Sequence, residues 1–99
     1  MDEPLVLISK LDEFALLANT EDVFEKGVIF SVATSILGKF EESKLHNDSE
    51  LLDMLKAVCY FINAAIGYES IQNKTQKQCI ESAQAKLDKA RNLINQKYL

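Results

Sequence analysis

The chain has 99 residues, of which 47 % are hydrophobic and 26 % charged, and its net charge is −4. These fractions are typical of a globular protein with one core, and they exclude an intrinsically disordered chain. The negative charge also argues against nucleic acid as a partner, since nucleic-acid-binding domains are usually strongly basic.

The sequence is typical of a single all-α domain. It has no linker rich in Gly, Pro or Ser, its only proline is Pro4, and turn dipeptides are few, which disfavours a β-protein. No run reaches the ~20 apolar residues that span a bilayer, and the opening MDEPLVLISKLDEF lacks the basic start of a secretory signal. We therefore predict a cytoplasmic, four-helix, bundle-like single domain over residues 1–99.

The first helix is predicted over about residues 3–18. Asp2 can cap its start, and Pro4 suits its first turn because a proline ring fixes a helical φ and needs no N–H there. Thr20, which follows the apolar pattern, is a candidate cap for the next helix. The predicted buried face of the first helix consists of Leu7, Leu11, Phe14 and Ala18.

The second helix is predicted over about residues 21–45, with Glu21 and Asp22 in its first turn. Its predicted buried face consists of Val23, Gly27, Phe30, Ala33, Leu37 and Phe40. A neighbouring stripe holds only small residues, namely Gly27, Ser31, Ser35 and Gly38. An interior glycine costs about 1 kcal/mol relative to alanine, which leaves two interpretations: a kink at a glycine, or close approach of another helix along the stripe.

The third helix is predicted over about residues 49–69, capped by Asn47 together with Glu50, or by Asp48. It contains the segment AVCYFINAAIGY, in which only Asn63 is strongly polar. Its polar positions form one thin line, which consists of Asp53, Lys56, Tyr60, Asn63 and Gly67. Because the other sides are apolar, we expect this helix to be central in the bundle, or to be partly covered by another chain.

The fourth helix is predicted over about residues 74–97, with Asn73 and Gln76 as a capping pair. Its single apolar stripe indicates a surface helix that buries one narrow seam. That stripe consists of Ile80, Ala83, Leu87, Ala90 and Ile94. The charge is uneven along the chain, because residues 1–53 carry a net −8 and residues 54–99 a net +4.

The sequence contains no recognisable catalytic or metal-binding pattern. His46 is the only histidine, and Cys59 and Cys79 both belong to apolar stretches where thiols stay protonated and inert. Zinc sites need about four N or S ligands, which this chain cannot supply in a motif. Adjacent carboxylates on a helix point away from each other, so neighbouring acids form no acid–base pair. We therefore predict no enzyme activity, no catalytic residue, no metal and no cofactor.

Segments of the chain resemble two known families. A long second helix ending GKFEES and a third opening LLDMLKAVCYF are similar to small four-helix bacteriocin immunity proteins, although that family is commonly basic and this chain is acidic. The segments FINAAIGY and AQAKLDKARNLI resemble the two halves of a tetratricopeptide-type helix pair, but the turn between them is too long for that repeat.

We expect a small non-enzymatic module that binds another protein through an acidic helical face, as an inhibitor, an immunity-type protein or a chaperone-type protein does. The predicted partner-binding residues are Glu21, Asp22, Glu25, Glu41, Glu42, Tyr60 and Tyr68. The alternative is a structural homo-oligomer, such as a homodimer, assembled through helices 2 and 3 along the small-residue stripe.

Overall fold

The computed structural model describes residues 3–99, and these residues form four α-helices and no strand. The helices are α1 (Glu3–Leu17), α2 (Val23–Glu42), α3 (Ser49–Ala65) and α4 (Gln76–Tyr98). The prediction of an all-α, four-helix fold is confirmed. Helix boundaries differ from the predicted ones by up to four residues, the largest difference being at the end of α3.

The four helices follow one another around the bundle in chain order. The most extensive packing is between α3 and α4, and α1 packs against α4 and α2, while α2 also packs against α3. Like each of the other helices, α3 packs mainly against two neighbours, so the central position expected for it, surrounded by the other three helices, is not observed. Within residues 3–99 none of the helices combines the length and the apolar character that crossing a membrane requires.

The core is one cluster to which every helix contributes a narrow face. The stripe predicted for α4 is buried, apart from Ile80, which is half-buried. In α1 the buried face includes Ile8 and Ala15, whereas the predicted Leu7 and Phe14 are only half-buried. Both thiols are buried and unpaired, as the sequence predicts.

The core face predicted for α2 is wrong over most of its length. The buried residues are Ile29, Ala33, Ile36 and Phe40, which also follow steps of four, three and four. The predicted Val23 and Phe30 are 80 % and 38 % exposed. The buried face of α2 is rotated relative to the predicted face because two isoleucines fill the core better than a glycine does. Val23 is the first residue of the helix, at one end of the bundle.

Each helix that follows α1 begins with a side-chain cap, and the sequence identifies only one of the three. The cap of α2 is Asp22 and not Thr20, and the cap of α3 is Asp48, one of the predicted alternatives. In α4, Thr75 and Gln78 form a reciprocal capping box, so the predicted Asn73 pair is wrong. The predicted cap Asp2 lies outside the described residues.

A glycine ends α3 four residues earlier than predicted. Gly67 has φ +88°, a left-handed conformation that favours glycine. The N–H of Tyr68 donates to the carbonyl of Asn63 at 2.8 Å, and the N–H of Gly67 donates to that of Ala64 at 3.1 Å. These two bonds form a Schellman motif, which terminates the helix and turns the chain towards α2.

Two polar contacts fasten opposite ends of the bundle. At one end, Gln76 Nε2 donates to the carbonyls of Ala18 (3.2 Å) and Ala65 (2.9 Å), which joins the ends of α1 and α3 to the start of α4. At the other end, Asp48 Oδ2 accepts from the Tyr98 hydroxyl at 2.6 Å and lies 3.3 Å from Lys97 Nζ. This joins the start of α3 to the end of α4.

Candidate functional site

The grooves on the surface of residues 3–99 are shallow and open. One groove, of about 550 Å³, lies between the start of α1 and the end of α2, with Pro4, Leu7 and Phe40 among its lining residues. Within residues 3–99, no group of three or more His, Cys, Asp or Glu side chains is placed to hold a metal ion. His46 is exposed, with Nδ1 3.0 Å from the carbonyl oxygen of Ser43.

Neither cysteine has the surroundings of a nucleophile. Burial, together with the negative charge of Glu41, raises the pKa of Cys59 to about 11. Its Sγ donates to the carbonyl of Ala33 across the α2–α3 interface, at 3.6 Å. Cys79 is buried in the core as well. The Cys59 thiol stays protonated at neutral pH, and burial shields the Cys79 thiol from a substrate, so both residues pack the core.

The most distinctive surface is the side of α2 that faces away from the core. Residues of a helix advance by about 100° each, so the side opposite Ala33 and Ile36 is fixed by the sequence. We call this side the α2 outer face; it consists of Phe24, Gly27, Val28, Ser31, Ser35 and Gly38, and Glu42, 18 residues after Phe24, lies on the same line at its far end. Phe24 is 80 % exposed and Val28 42 % exposed, which is unusual for large apolar side chains.

Phe24 lies in the first turn of α2, where side chains cap the start of the helix. Asp22 Oδ1 accepts from the backbone N–H groups of Phe24 and Glu25, at 2.8 and 3.0 Å. The Thr20 hydroxyl donates to the Glu25 carboxylate and also accepts from the Asp22 N–H at 3.1 Å. This network caps the first turn of α2, so Phe24 is presented to solvent on a formed helix start.

Three of the predicted partner-binding acids surround this apolar start. Glu21, Asp22 and Glu25 are all exposed within the first turn of α2 or just before it. We call these three residues the acidic rim. The nearest base in sequence is Lys26, which is half-buried. The positive end of the α2 macrodipole favours acidic side chains at this position.

The other two predicted acids do not join the rim. Glu41 and Glu42 are exposed in the last turn of α2. A helix of 20 residues is roughly 30 Å long, so they lie at the opposite end of the molecule from Glu21. Lys39 and Lys44 flank them in sequence, which makes that end mixed in charge.

The two predicted aromatic anchors have different surroundings. The Tyr68 ring packs on Phe30 with 5.2 Å between ring centroids, and a Cβ on Gly27 would lie 3.8 Å from its hydroxyl. Tyr68 is therefore placed beside the α2 outer face. Tyr60 is on α3, and its hydroxyl donates to the carbonyl of Ser70 at 3.2 Å, so it braces the α3–α4 connection.

Sequence reasoning missed Phe24 and Val28 as surface residues and assigned Val23 and Phe30 to the core. A usable signal was present, because Ile29, Ala33 and Ile36 form a competing stripe without a glycine. Choosing that stripe rotates the predicted helix and places Phe24 outward. The structure thus brings together an acidic rim, two exposed apolar side chains and Tyr68, which the sequence had treated separately.

Comparison of the chain with protein-family models, with curated proteins and with solved structures finds no match.

Proposed function

We propose that this chain is a small non-enzymatic module that binds another protein through the α2 outer face and its acidic rim. The observation that carries the proposal is the exposure of two large apolar side chains of this face, 80 % for Phe24 and 42 % for Val28, next to the capped start of the helix. Fully burying a large apolar side chain contributes about 1.5–3 kcal/mol, so these two residues can anchor a partner.

The acidic rim indicates the chemistry of that partner. Apolar anchors surrounded by charges of one sign are complementary to a partner with apolar side chains flanked by Lys or Arg. An inhibitor, an immunity-type protein or a chaperone-type protein would use such a surface. We place the module in the cytoplasm, where two buried thiols that do not pair remain reduced.

The test is a selection of peptides from a random display library on the immobilised protein. We expect peptides that combine Leu, Phe or Trp with Lys or Arg. Replacing Phe24 by Ala should weaken their binding about tenfold or more, as truncation of an interface anchor does. Replacing Glu25 by Lys should weaken it through charge repulsion.

A matched control distinguishes binding at this face from non-specific binding. Glu81 is an exposed acid on α4, far along the chain from the acidic rim, and Glu81→Lys makes the same change of charge. It should leave peptide binding unchanged. Peptides that bind equally well to the Phe24→Ala variant, or no enriched peptides at all, would rule out the α2 outer face as the binding surface.

The second candidate is the predicted homo-oligomer through helices 2 and 3. Its supporting observation is that Gly27, Ser31, Ser35 and Gly38 all lie on the α2 outer face, where another helix can approach closely. The outward residues of α3 are the polar Asp53, Lys56 and Tyr60, which are exposed. A contact between two copies would therefore involve α2 and not α3.

A further inference from the structure

The surface along the line where α1 meets α2 is apolar and open. Of the four pairs of neighbouring helices, α1 and α2 pack least extensively. The groove of about 550 Å³ lies at one end of this line, and Leu7 of α1 and Lys39 of α2 both line it. Since the start of α1 meets the end of α2 there, the two helices run antiparallel.

Helical geometry continues this line from the groove to the start of α2. Steps of three, four and seven residues stay on one flank of a helix. The flank of Leu7 therefore leads along α1 to Leu17, 10 residues on. The flank of Lys39 leads back along α2 to Val28, 11 residues earlier, so Leu17 and Val28 lie side by side. We call the whole line the α1–α2 surface; it consists of Leu7, Phe14, Leu17, Phe24, Val28, Val32 and Lys39.

The α1–α2 surface has an apolar floor, with exposed apolar side chains above it at the end away from the groove. Leu17 is 56 % exposed, and Phe24 and Val28 are exposed as well. These three side chains extend the apolar part of the α2 outer face across to α1. The floor is made of partly buried side chains that pack against the core, namely Leu7, Phe14 and Val32.

The elements that border the α1–α2 surface favour a helical partner. Both are helices, whose interior backbone N–H and C=O groups already bond within the helix. An extended partner would bury its own backbone groups against apolar side chains without hydrogen-bond partners, which is costly. A helical partner satisfies these groups itself and presents apolar side chains at steps of three and four.

Exposed acids at one end of the α1–α2 surface favour a partner that is basic at the matching end. Glu13 is exposed one turn before Leu17 on α1, so it adds a further acid to those of the acidic rim. Farther along α1, Lys10 is exposed, and two lysines and two glutamates line the groove. The complementary partner therefore carries Lys or Arg at one end and not along its whole length.

We infer that the partner presents an amphipathic α-helix, which lies along the α1–α2 surface with its Lys or Arg residues beside the acidic rim. Lys39 and Phe24 are 15 residues apart on α2, so a partner helix of about 15 residues spans the surface. This geometry rests on the proposed function and deepens it, because it specifies the form of the partner and adds α1 to the binding surface.

Peptides enriched on the immobilised protein supply the probe, as labelled synthetic peptides whose binding is followed by fluorescence anisotropy. Leu17→Ala should raise the dissociation constant about fivefold or more, the effect of truncating an interface side chain. The matched control is Leu16→Ala, because Leu16 is 57 % exposed but lies on the other flank of α1, in a groove with Gln76 and Ile80 of α4. Leu16→Ala should leave binding unchanged. Both leucines are more than half exposed, so both variants should fold.

A charge exchange tests the position of the basic end. Glu13→Lys should weaken binding about threefold or more, whereas Glu81→Lys on α4 should not. Replacing a Lys at the basic end of the peptide by Glu should weaken binding to the wild type and strengthen binding to the Glu13→Lys variant.

Two measurements on the peptide test its helical form. A proline in its middle, at a residue that faces solvent, should abolish binding, because proline breaks a helix interior. Far-ultraviolet circular dichroism should show more helix in the complex than in the sum of the separate components.

Three results would overturn the inference: Leu17→Ala that binds as the wild type does, a charge exchange without effect, or a central proline that is tolerated. If Phe24→Ala still weakens binding in such a case, the proposed function stands and only the helical partner on the α1–α2 surface is lost. If Phe24→Ala has no effect, or no peptide is enriched, the proposed function fails and the helical partner fails with it.

Discussion

Asp48 is the polar residue whose removal should destabilise the fold most. Its side chain is only 6 % exposed and serves two partners at once. Oδ1 caps α3 by accepting from the Leu51 N–H at 3.0 Å, and Oδ2 accepts from the Tyr98 hydroxyl at 2.6 Å. Asp48→Ala would therefore leave a helix start uncapped and release the end of α4 from the start of α3.

The size of the effect follows from these contacts. Loss of a helix cap costs about 1 kcal/mol. A charge-assisted hydrogen bond contributes about 1.5 kcal/mol or more, although the half-buried Tyr98 recovers part of this from water. Lys97 is 44 % exposed, so its ion pair adds little. We expect the free energy of unfolding to fall by about 2–3 kcal/mol, which lowers Tm by roughly 10–20 °C in a domain of this size.

The assay is urea and thermal unfolding followed by circular dichroism, with Asp48→Asn as the control that keeps a capping side chain. Asp48→Asn should lose less stability than Asp48→Ala at neutral pH. A loss below about 0.5 kcal/mol for Asp48→Ala, the size of an ordinary surface substitution, would refute the assignment of Asp48 as the fastening at this end of the bundle.

The stability of the wild type and of these variants should also depend differently on pH. The hydrogen bond from Tyr98, that from the Leu51 N–H, and Lys97 together hold the pKa of Asp48 below its usual range, against the opposing effect of burial. A lowered folded-state pKa contributes stability above the unfolded-state value of about 3.9, and this is lost as pH falls through the folded-state pKa. Wild-type stability should therefore fall more steeply in acid than that of Asp48→Asn.

Three further predictions follow from the fold. Gly67→Ala should lower the free energy of unfolding by about 1 kcal/mol because of its positive φ, whereas Gly38→Ala should raise it by up to about 1 kcal/mol, both measured in urea. Cys59 should react with a disulfide reagent at pH 8 only as fast as the protein opens, since its pKa is about 11; immediate reaction in the native state would contradict its burial. Gln76→Leu should cost about 2 kcal/mol, because two carbonyl oxygens lose their donor, and an unchanged unfolding midpoint would show that water replaces it.

The fold was largely predictable because helical periodicity is a strong signal in a short chain without internal glycine or proline clusters. The stripe of α4 is unambiguous, since almost every other residue of that helix is polar. In α2 two stripes with the same spacing compete, and the choice between them depends on which volume the core can accommodate. The end of α3 was missed although Gly67 directly follows an apolar helical stretch, which is a local sign of a helix C-terminus.

The candidate site was predictable only in part. Glu21, Asp22 and Glu25 are contiguous in sequence, so their grouping follows from the chain alone. The exposure of Phe24 could also have been predicted, because neither of the two competing stripes of α2 contains this residue. Glu41 and Glu42 were grouped with the rim by charge, but the length of a straight helix separates them from it. Charge composition carries no information about how far apart charged residues lie, because the path of the backbone determines those distances.

The hydrogen bonds and ion pairs between helices also imply an order in which the helices unfold locally. Among residues 3–99 these bonds join α1, α3 and α4 to one another: Gln76 bridges three helices, Arg91 Nη2 lies 3.9 Å from Asp12 Oδ2, and Asp48 meets Tyr98. The polar side-chain contact with α2 is the weak thiol bond of Cys59 to Ala33. Core amides of α2 should therefore exchange with deuterium before those of α3 and α4. The helix that carries the proposed binding face is thus the one held mainly by apolar contact, and a partner bound there would become visible as slower exchange along α2.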